Sequence, residues 1–234
     1  MPNRNPIEGR RRDPILCLVI ERSAVRGDLA RCVAAAVGAG VDWVQIRERN
    51  LEGAALLKHA EEINRAARQA AAQRGGCVKI FVNRRIDIAL ALGADGVQLG
   101  FDAVDPRTAR RLLGVDATIG ISAHHTDEIR AAAREVDCAQ LAPIFQPLSK
   151  PHAGPCLGVR VLEEAARDDT PVIAQGGITP TNATAVAAAG AAGIAVTGAI
   201  LSAPDPAAAT RALRAALADA PPTRPGVSTP ASPG

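Results

Sequence analysis

The chain has 234 residues and a formal net charge of +3; 47% of it is hydrophobic but only 2% aromatic, with no Tyr, one Trp and three Phe. That length holds one large domain or two small ones, and a core of Val, Ile, Leu and Ala suits parallel strands buried on both faces, which read as unbroken apolar runs. The five cysteines (Cys17, Cys32, Cys77, Cys138, Cys156) form no CxxC pair, so no zinc or redox motif follows; no apolar stretch reaches the length of a membrane span and none follows the basic N-terminus as in a signal peptide, which points to a cytoplasmic protein with reduced thiols.

Residues 1–13 are polar and Arg-rich and are expected to be a disordered basic arm. Lacking interleaved aromatics, the arm is not a nucleic-acid motif, and no nucleic-acid or membrane partner is expected. Then an alternation begins. ILCLVIE (15–21) precedes helical spacing from Asp28, and WVQIRE (43–48) precedes a helix from Leu51. KIFVN (79–83) leads to a helix at Arg85, GVQLG (96–100) to one at Pro106, and TIGIS (118–122) to one at Thr126. CAQLAPIF (138–145), PVIAQ (171–175) and GIAVTGAI (193–200) precede helices from Gly158, Pro180 and Pro206. Asp105-Pro106, Thr179-Pro180 and Asp205-Pro206 each offer a cap followed by Pro at the first helical position. Residues 220–234 are Pro/Ser-rich and are expected to be a disordered tail. Eight strand–helix alternations over residues 14–219 predict an α/β fold, a single-domain (β/α)8 TIM barrel. An open doubly wound sheet would show a Gly-rich turn after its first strand, and ERSAVRGD is not one.

Barrel chemistry sits at the C-terminal ends of strands, which turns strand ends into candidates. Gln45, Arg47 and Arg49 share one face at period two, with Ile46 and Glu48 opposite. Polar groups at a barrel mouth need a ligand or each other. Two forked guanidiniums suit phosphate or carboxylate; the bland reading is a salt bridge with Glu48 or Glu21. Asn83, Arg84, Gln98, Asp102 and Ser122 follow on the next strands. His124, in GISAHHTDE, can give and take a proton near neutrality, while His125 falls in the turn into the next helix. Ser149 and Lys150 stand in a long polar loop after the sixth strand. The small-residue turns Gly176-Gly177 and Thr197-Gly198 follow the seventh and eighth strands, where barrels commonly bind phosphate. Glycine there lets backbone N–H groups reach an anion with no Cβ in the way; the bland reading is ordinary turns.

In order along the chain, VQIRER, VNRRIDIALALGADGVQLG, IGISAHHTDE, APIFQPLSK, LGV (157–159) and PVIAQGGITPTNA…AGAAGIAVTGAIL resemble the thiamine phosphate synthase/TenI superfamily over roughly residues 14–217. The resemblance implies a (β/α)8 barrel in thiamine biosynthesis. Synthases of this superfamily join a pyrimidine pyrophosphate to a thiazole phosphate with Mg²⁺; TenI-like members are thiazole tautomerases that move a proton with a histidine. It places Gln45, Arg47, Asn83 and Lys150 at the pyrimidine pyrophosphate, and Gly177 and the Thr197-Gly198 turn at the thiazole phosphate. Two acids of the synthase pattern are Arg84 and Ala103 here; the lysine of its REK is Arg49, and its loop threonines are Pro147 and Ser149. An Arg about 4 Å from a divalent ion would cost on the order of several kcal/mol even at an effective dielectric near 20, so no metal cofactor is expected.

The leading expectation is therefore a metal-independent thiazole phosphate tautomerase. His124 would be its acid/base, and Arg47 with Arg49 or Arg84 would hold the substrate carboxylate. The alternatives are a divergent thiamine phosphate synthase in which Arg84 neutralises the pyrophosphate in place of the metal, the one reading under which Mg²⁺ could still be called for, and a non-catalytic binder of thiazole or thiamine phosphates. The oligomeric state, a homo-oligomer included, stays open.

Overall fold

A computed structural model describes residues 14–25, 27–147 and 155–220. The expected arm at 1–13, and the expected tail from residue 221 on, lie outside the described residues. Eight parallel strands close into a barrel in sequence order: β1 (Ile15–Ile20), β2 (Trp43–Ile46), β3 (Lys79–Asn83), β4 (Gly96–Leu99), β5 (Thr118–Ala123), β6 (Cys138–Leu141), β7 (Val172–Gln175) and β8 (Gly193–Val196), with β8 pairing back to β1. Around them lie α1 (Leu29–Gly38), α2 (Gly53–Gln73), α3 (Ile86–Leu92), α4 (Pro106–Leu113), α5 (Thr126–Ala132), α6 (Gly158–Ala165), α7 (Pro180–Ala188), a single turn α8 (Gly198–Leu201) and α9 (Pro206–Ala218). The predicted barrel is the observed one.

The helix starts follow their caps. Asp28, Asp105 and Asp205 accept the backbone N–H of Arg31, Thr108 and Ala208 at 2.9–3.1 Å. Pro106, Pro180 and Pro206 each stand at the first helical turn, where a missing N–H costs nothing. Three strands end sooner than their apolar runs suggest. β2 stops at Ile46; β6 stops at Leu141 because Pro143 has no N–H to give a ladder; and β8 stops at Val196 because its last apolar residues coil into α8.

Two cores result. The larger lies between barrel and helices and holds Leu16, Leu18, Ile46, Ile80, Ile119 and Leu141 with the inner faces of α1, α2, α7 and α9. The smaller fills the lower barrel with Ile15, Cys17, Val19, Trp43, Phe81, Cys138, Ile173 and Ala195. Trp43 and Phe81 stack there, ring centroids 4.6 Å apart. Gly96 makes room for them: a Cβ on it would lie 2.8 Å from the Phe81 ring and 2.2 Å from the Thr118 carbonyl. With its lower half plugged, the barrel is open only above, at the strand C-termini. Among the described residues no helix is long and apolar enough to cross a membrane.

Candidate active site

Along the inward face the side chains change from apolar to amide as the strands rise. Gln45, Gln98 and Gln140 are all buried. Gln140 Nε2 donates to Gln45 Oε1 at 2.6 Å, and Gln45 Nε2 donates to Asn83 Oδ1 at 3.2 Å. Gln98 Nε2 donates to Ser122 Oγ at 3.2 Å. Buried amides without such partners would be costly. The belt satisfies itself, and Gln45, Asn83, Ser122 and Gln140 of it line the floor of a cavity of about 460 Å³ at the mouth.

Gln45, Arg47, Arg49, Asn83, Arg84, Ser122, His124, Gly176, Gly177, Thr197 and Gly198 all line that cavity, as do Glu21, Phe101, Asp102, Gln140 and Gln175. Ser149 and Lys150 lie outside the described residues. The period-two reading of β2 holds. Ile46 belongs to the outer core, and Glu48 turns outward to accept the Arg22 backbone N–H at 2.8 Å. Arg47 also has the ion pair of the bland reading, with Glu21 at 3.3 Å. Burial, and then the charge of Arg49, press the Arg47 guanidinium below its usual pKa, with Glu21 and Glu48 opposing. An anion in the cavity would relieve that pressure.

His124 follows β5 with its ring fixed on two sides. Nδ1 lies 2.6 Å from the Ala142 carbonyl, which can only accept, so Nδ1 is the donor, and in the neutral ring Nε2 has the free lone pair. The Phe101 ring stacks on the imidazole at a centroid distance of 5.0 Å. Glu128 accepts the backbone N–H of His124 and of His125, at 2.6 and 3.2 Å, tying the turn to α5. His125 caps that helix.

The two glycine turns differ in what surrounds them. Gly176 and Gly177 have φ of 99° and 60°, a region that favours glycine. A Cβ on Gly177 would lie 2.4 Å from the Gln146 carbonyl, and one on Gly176 2.8 Å from Pro143. The β6–α6 loop packs on this turn and hydrogen-bonds it, Ile144 N–H to Gln175 and Phe145 N–H to Gly176. Their lack of side chains is thus needed for chain packing. Gly198 is the opposite case: a Cβ there would meet only Ser202 Oγ, at 3.7 Å, so the space it leaves opens on the cavity.

The resemblance implies Mg²⁺, and the donor set does not fit it. Of the described lining residues only Glu21 and Asp102 are carboxylates, and each holds an arginine: Glu21 holds Arg47, and Asp102 holds Arg84 at 2.5 Å. Ala103 packs against the core. Among the described residues no group of three His, Cys, Asp or Glu is placed to hold a metal.

Sequence reasoning passed over Gln140, Gln175 and Phe101. The two glutamines sit inside runs read as apolar; carrying the inward alternation of β2 over to β6 and β7 would have found them. Phe101 stands two residues past β4, a strand-end position, but an aromatic there carries no obvious acid–base role.

Comparison with known proteins adds the family. The model of thiamine monophosphate synthase matches residues 16–200. A thiamine-phosphate synthase of Roseiflexus castenholzii is 39% identical over 194 residues, 82% of each chain. One of Laribacter hongkongensis is 38% identical over 204 residues, 87% of this chain and 91% of that one. The solved thiamine phosphate pyrophosphorylase of Pyrococcus furiosus superposes with a TM-score of 0.75 at 28% identity, covering 89% of this chain and 98% of that one.

Proposed function

The chain belongs to the thiamine monophosphate synthase/TenI family, and on that premise we propose that it is an enzyme of thiamine biosynthesis that joins a pyrimidine pyrophosphate to a thiazole phosphate. The names of its relatives shift the weight from the tautomerase to this condensation. The observation that carries it is a cavity with two ends: Arg47, Arg49 and Arg84 crowd the side of β2–β4, and the turns at Gly177 and Gly198 bound the side of β7–β8. Two anionic substrates need two such ends. A thiazole carboxylate phosphate would also set an anion at each end, but three guanidiniums at one end suit a pyrophosphate better than a lone carboxylate.

The thiazole nitrogen forms a bond to the pyrimidine methylene carbon as the bond from that carbon to the pyrophosphate oxygen breaks. No proton has to move in that step. The chain contributes alignment of the two reactants and donors for the charge building on the leaving group. Asn83 and the amide belt hold the pyrimidine edge; Arg47, Arg49 and Arg84 hold the pyrophosphate. Turnover of the two substrates to thiamine phosphate and pyrophosphate by the purified protein tests this.

A second reading, the thiazole tautomerase, is favoured by His124. Its fixed Nδ1–H and free Nε2 are what a proton shuttle requires. Isomerisation of a thiazole carboxylate phosphate with no condensation would establish that reading. Tight binding of thiazole phosphate with neither reaction would leave a non-catalytic binder.

A further inference from the structure

The mouth beside β3 and β4 is built on arginine where the family resemblance implies a divalent ion. Arg84 has φ 65°, the one non-glycine residue with positive φ among those described. Such a conformation persists only where its surroundings impose it, and it gathers at functional sites. Here the Arg84 N–H donates to the Gln98 carbonyl at 2.9 Å, fixing its backbone across the β3–β4 seam, and its guanidinium meets Asp102 over the cavity. The side chains of Arg84 and Asp102 are 46% and 64% exposed. A pair so exposed is weak and opens at little cost.

Charge decides what can enter. Among the described lining residues, Arg47, Arg49 and Arg84 stand against Glu21 and Asp102, a formal balance of three minus two. A divalent cation placed there meets three guanidiniums and two carboxylates already engaged. A pyrophosphate meets the reverse, and each guanidinium can bind its oxygens through two parallel N–H donors. Arg47, pressed below its usual pKa by burial and by Arg49, gains from such an anion.

We propose that this end of the cavity is a metal-independent pyrophosphate site in which the incoming group displaces Asp102 from Arg84 and takes its place. Asp102 is a competitor for the site, released to solvent when the anion arrives. The inference rests on the reading that the cavity receives a pyrophosphate, and it deepens that reading by replacing the metal with a guanidinium that a carboxylate holds in reserve.

The test is calorimetric titration of the full chain with inorganic pyrophosphate, in EDTA and again with Mg²⁺. Binding is expected in EDTA and is expected to gain nothing from Mg²⁺. Asp102→Asn is expected to tighten it by roughly two- to fivefold, the worth of an exposed ion pair. Arg84→Asn, which tolerates the left-handed backbone, is expected to weaken it by on the order of tenfold. Thermal melts check that both variants fold. Binding that requires Mg²⁺, weakening by Asp102→Asn, or indifference to Arg84→Asn would each overturn the proposal. Pyrophosphate bound as described without turnover of the two substrates would refute the condensation and leave this site standing. Turnover that EDTA abolishes would refute the site and leave the condensation.

Discussion

Asp42 and Leu16 hold each other at the closed end of the barrel: the Leu16 N–H donates to the Asp42 carboxylate at 2.9 Å, and the Asp42 N–H donates back to the Leu16 carbonyl at 2.9 Å. The arrangement repeats. Asp95 does the same for Ile80, and Asp137 for Ile119. Each aspartate stands just before an even-numbered strand and reaches the second residue of the preceding odd one. Each also binds an arginine: Arg214 for Asp42, Arg68 for Asp95 and Arg110 for Asp137. Before β8 the place belongs to Ala192, whose N–H still donates to the Val172 carbonyl at 2.8 Å. The sequence carries this fourfold repeat as VDW, ADG, VDC and AAG.

Burial ranks the cost of losing these aspartates. Their side chains are 5%, 17% and 33% exposed for Asp42, Asp137 and Asp95. Asp42→Ala orphans a buried N–H and is expected to cost on the order of 3 kcal/mol; Asp95→Ala, with water in reach, is expected to cost about 1 kcal/mol. Urea unfolding of the three Ala variants measures the order, and affinity for thiazole phosphate should stay as in the wild type, since the closed end serves stability.

Gly177 and Gly198 are expected to separate packing from binding. Gly177→Ala forces a Cβ against the Gln146 carbonyl at positive φ and is expected to destabilise the protein by about 1–3 kcal/mol. Gly198→Ala meets no protein atom closer than 3.7 Å, so the melting temperature should hold while thiazole phosphate binds more weakly. Equal affinity in Gly198→Ala and wild type would place the phosphate elsewhere.

Thiol chemistry reads the barrel core directly. Cys77 and Cys156 are exposed; Cys17, Cys32 and Cys138 are buried. Burial raises the pKa of all three buried thiols, that of Cys138 to about 12, which disfavours the reactive thiolate in each. A thiol reagent is expected to label Cys77 and Cys156 in the folded protein, and the other three only after denaturation; mass spectrometry of the labelled peptides identifies the sites.

How far the residues spoke for themselves depends on the interaction. Strand–helix alternation is local and periodic, so the barrel was legible, as were the Asp-Pro and Thr-Pro helix starts. The mouth was legible where polarity broke an apolar run, as at Gln45, Arg47 and His124. It was hidden where one amide sat among apolar neighbours, because Gln140 declares its direction only through Gln45, 95 residues away. The Gly176-Gly177 turn was legible, but one reason for it was not: the β6–α6 loop packs where its Cβ atoms would lie, and no sequence pattern brings Gln146 beside Gly177.

His124 discriminates between the two reactions because only one of them moves a proton. With Nδ1–H bound to the Ala142 carbonyl and the ring stacked on Phe101, Nε2 is the atom presented for proton transfer. Gln at position 124 can still donate a hydrogen bond but cannot shuttle a proton. If the protein isomerises a thiazole carboxylate phosphate, His124→Gln is expected to slow that reaction by a factor on the order of 10² to 10⁴. If it condenses the pyrimidine pyrophosphate with the thiazole phosphate, the same variant is expected to lose far less, since forming the carbon–nitrogen bond needs alignment and charge stabilisation and no base. His125→Gln, at the cap of α5, should change neither rate by more than a few-fold. Both reactions are followed in wild type and the two variants, with thiazole phosphate affinity measured alongside. A loss of condensation as large as the loss of isomerisation would mean that His124 acts on the leaving pyrophosphate, as a donor that the bond-breaking step cannot do without.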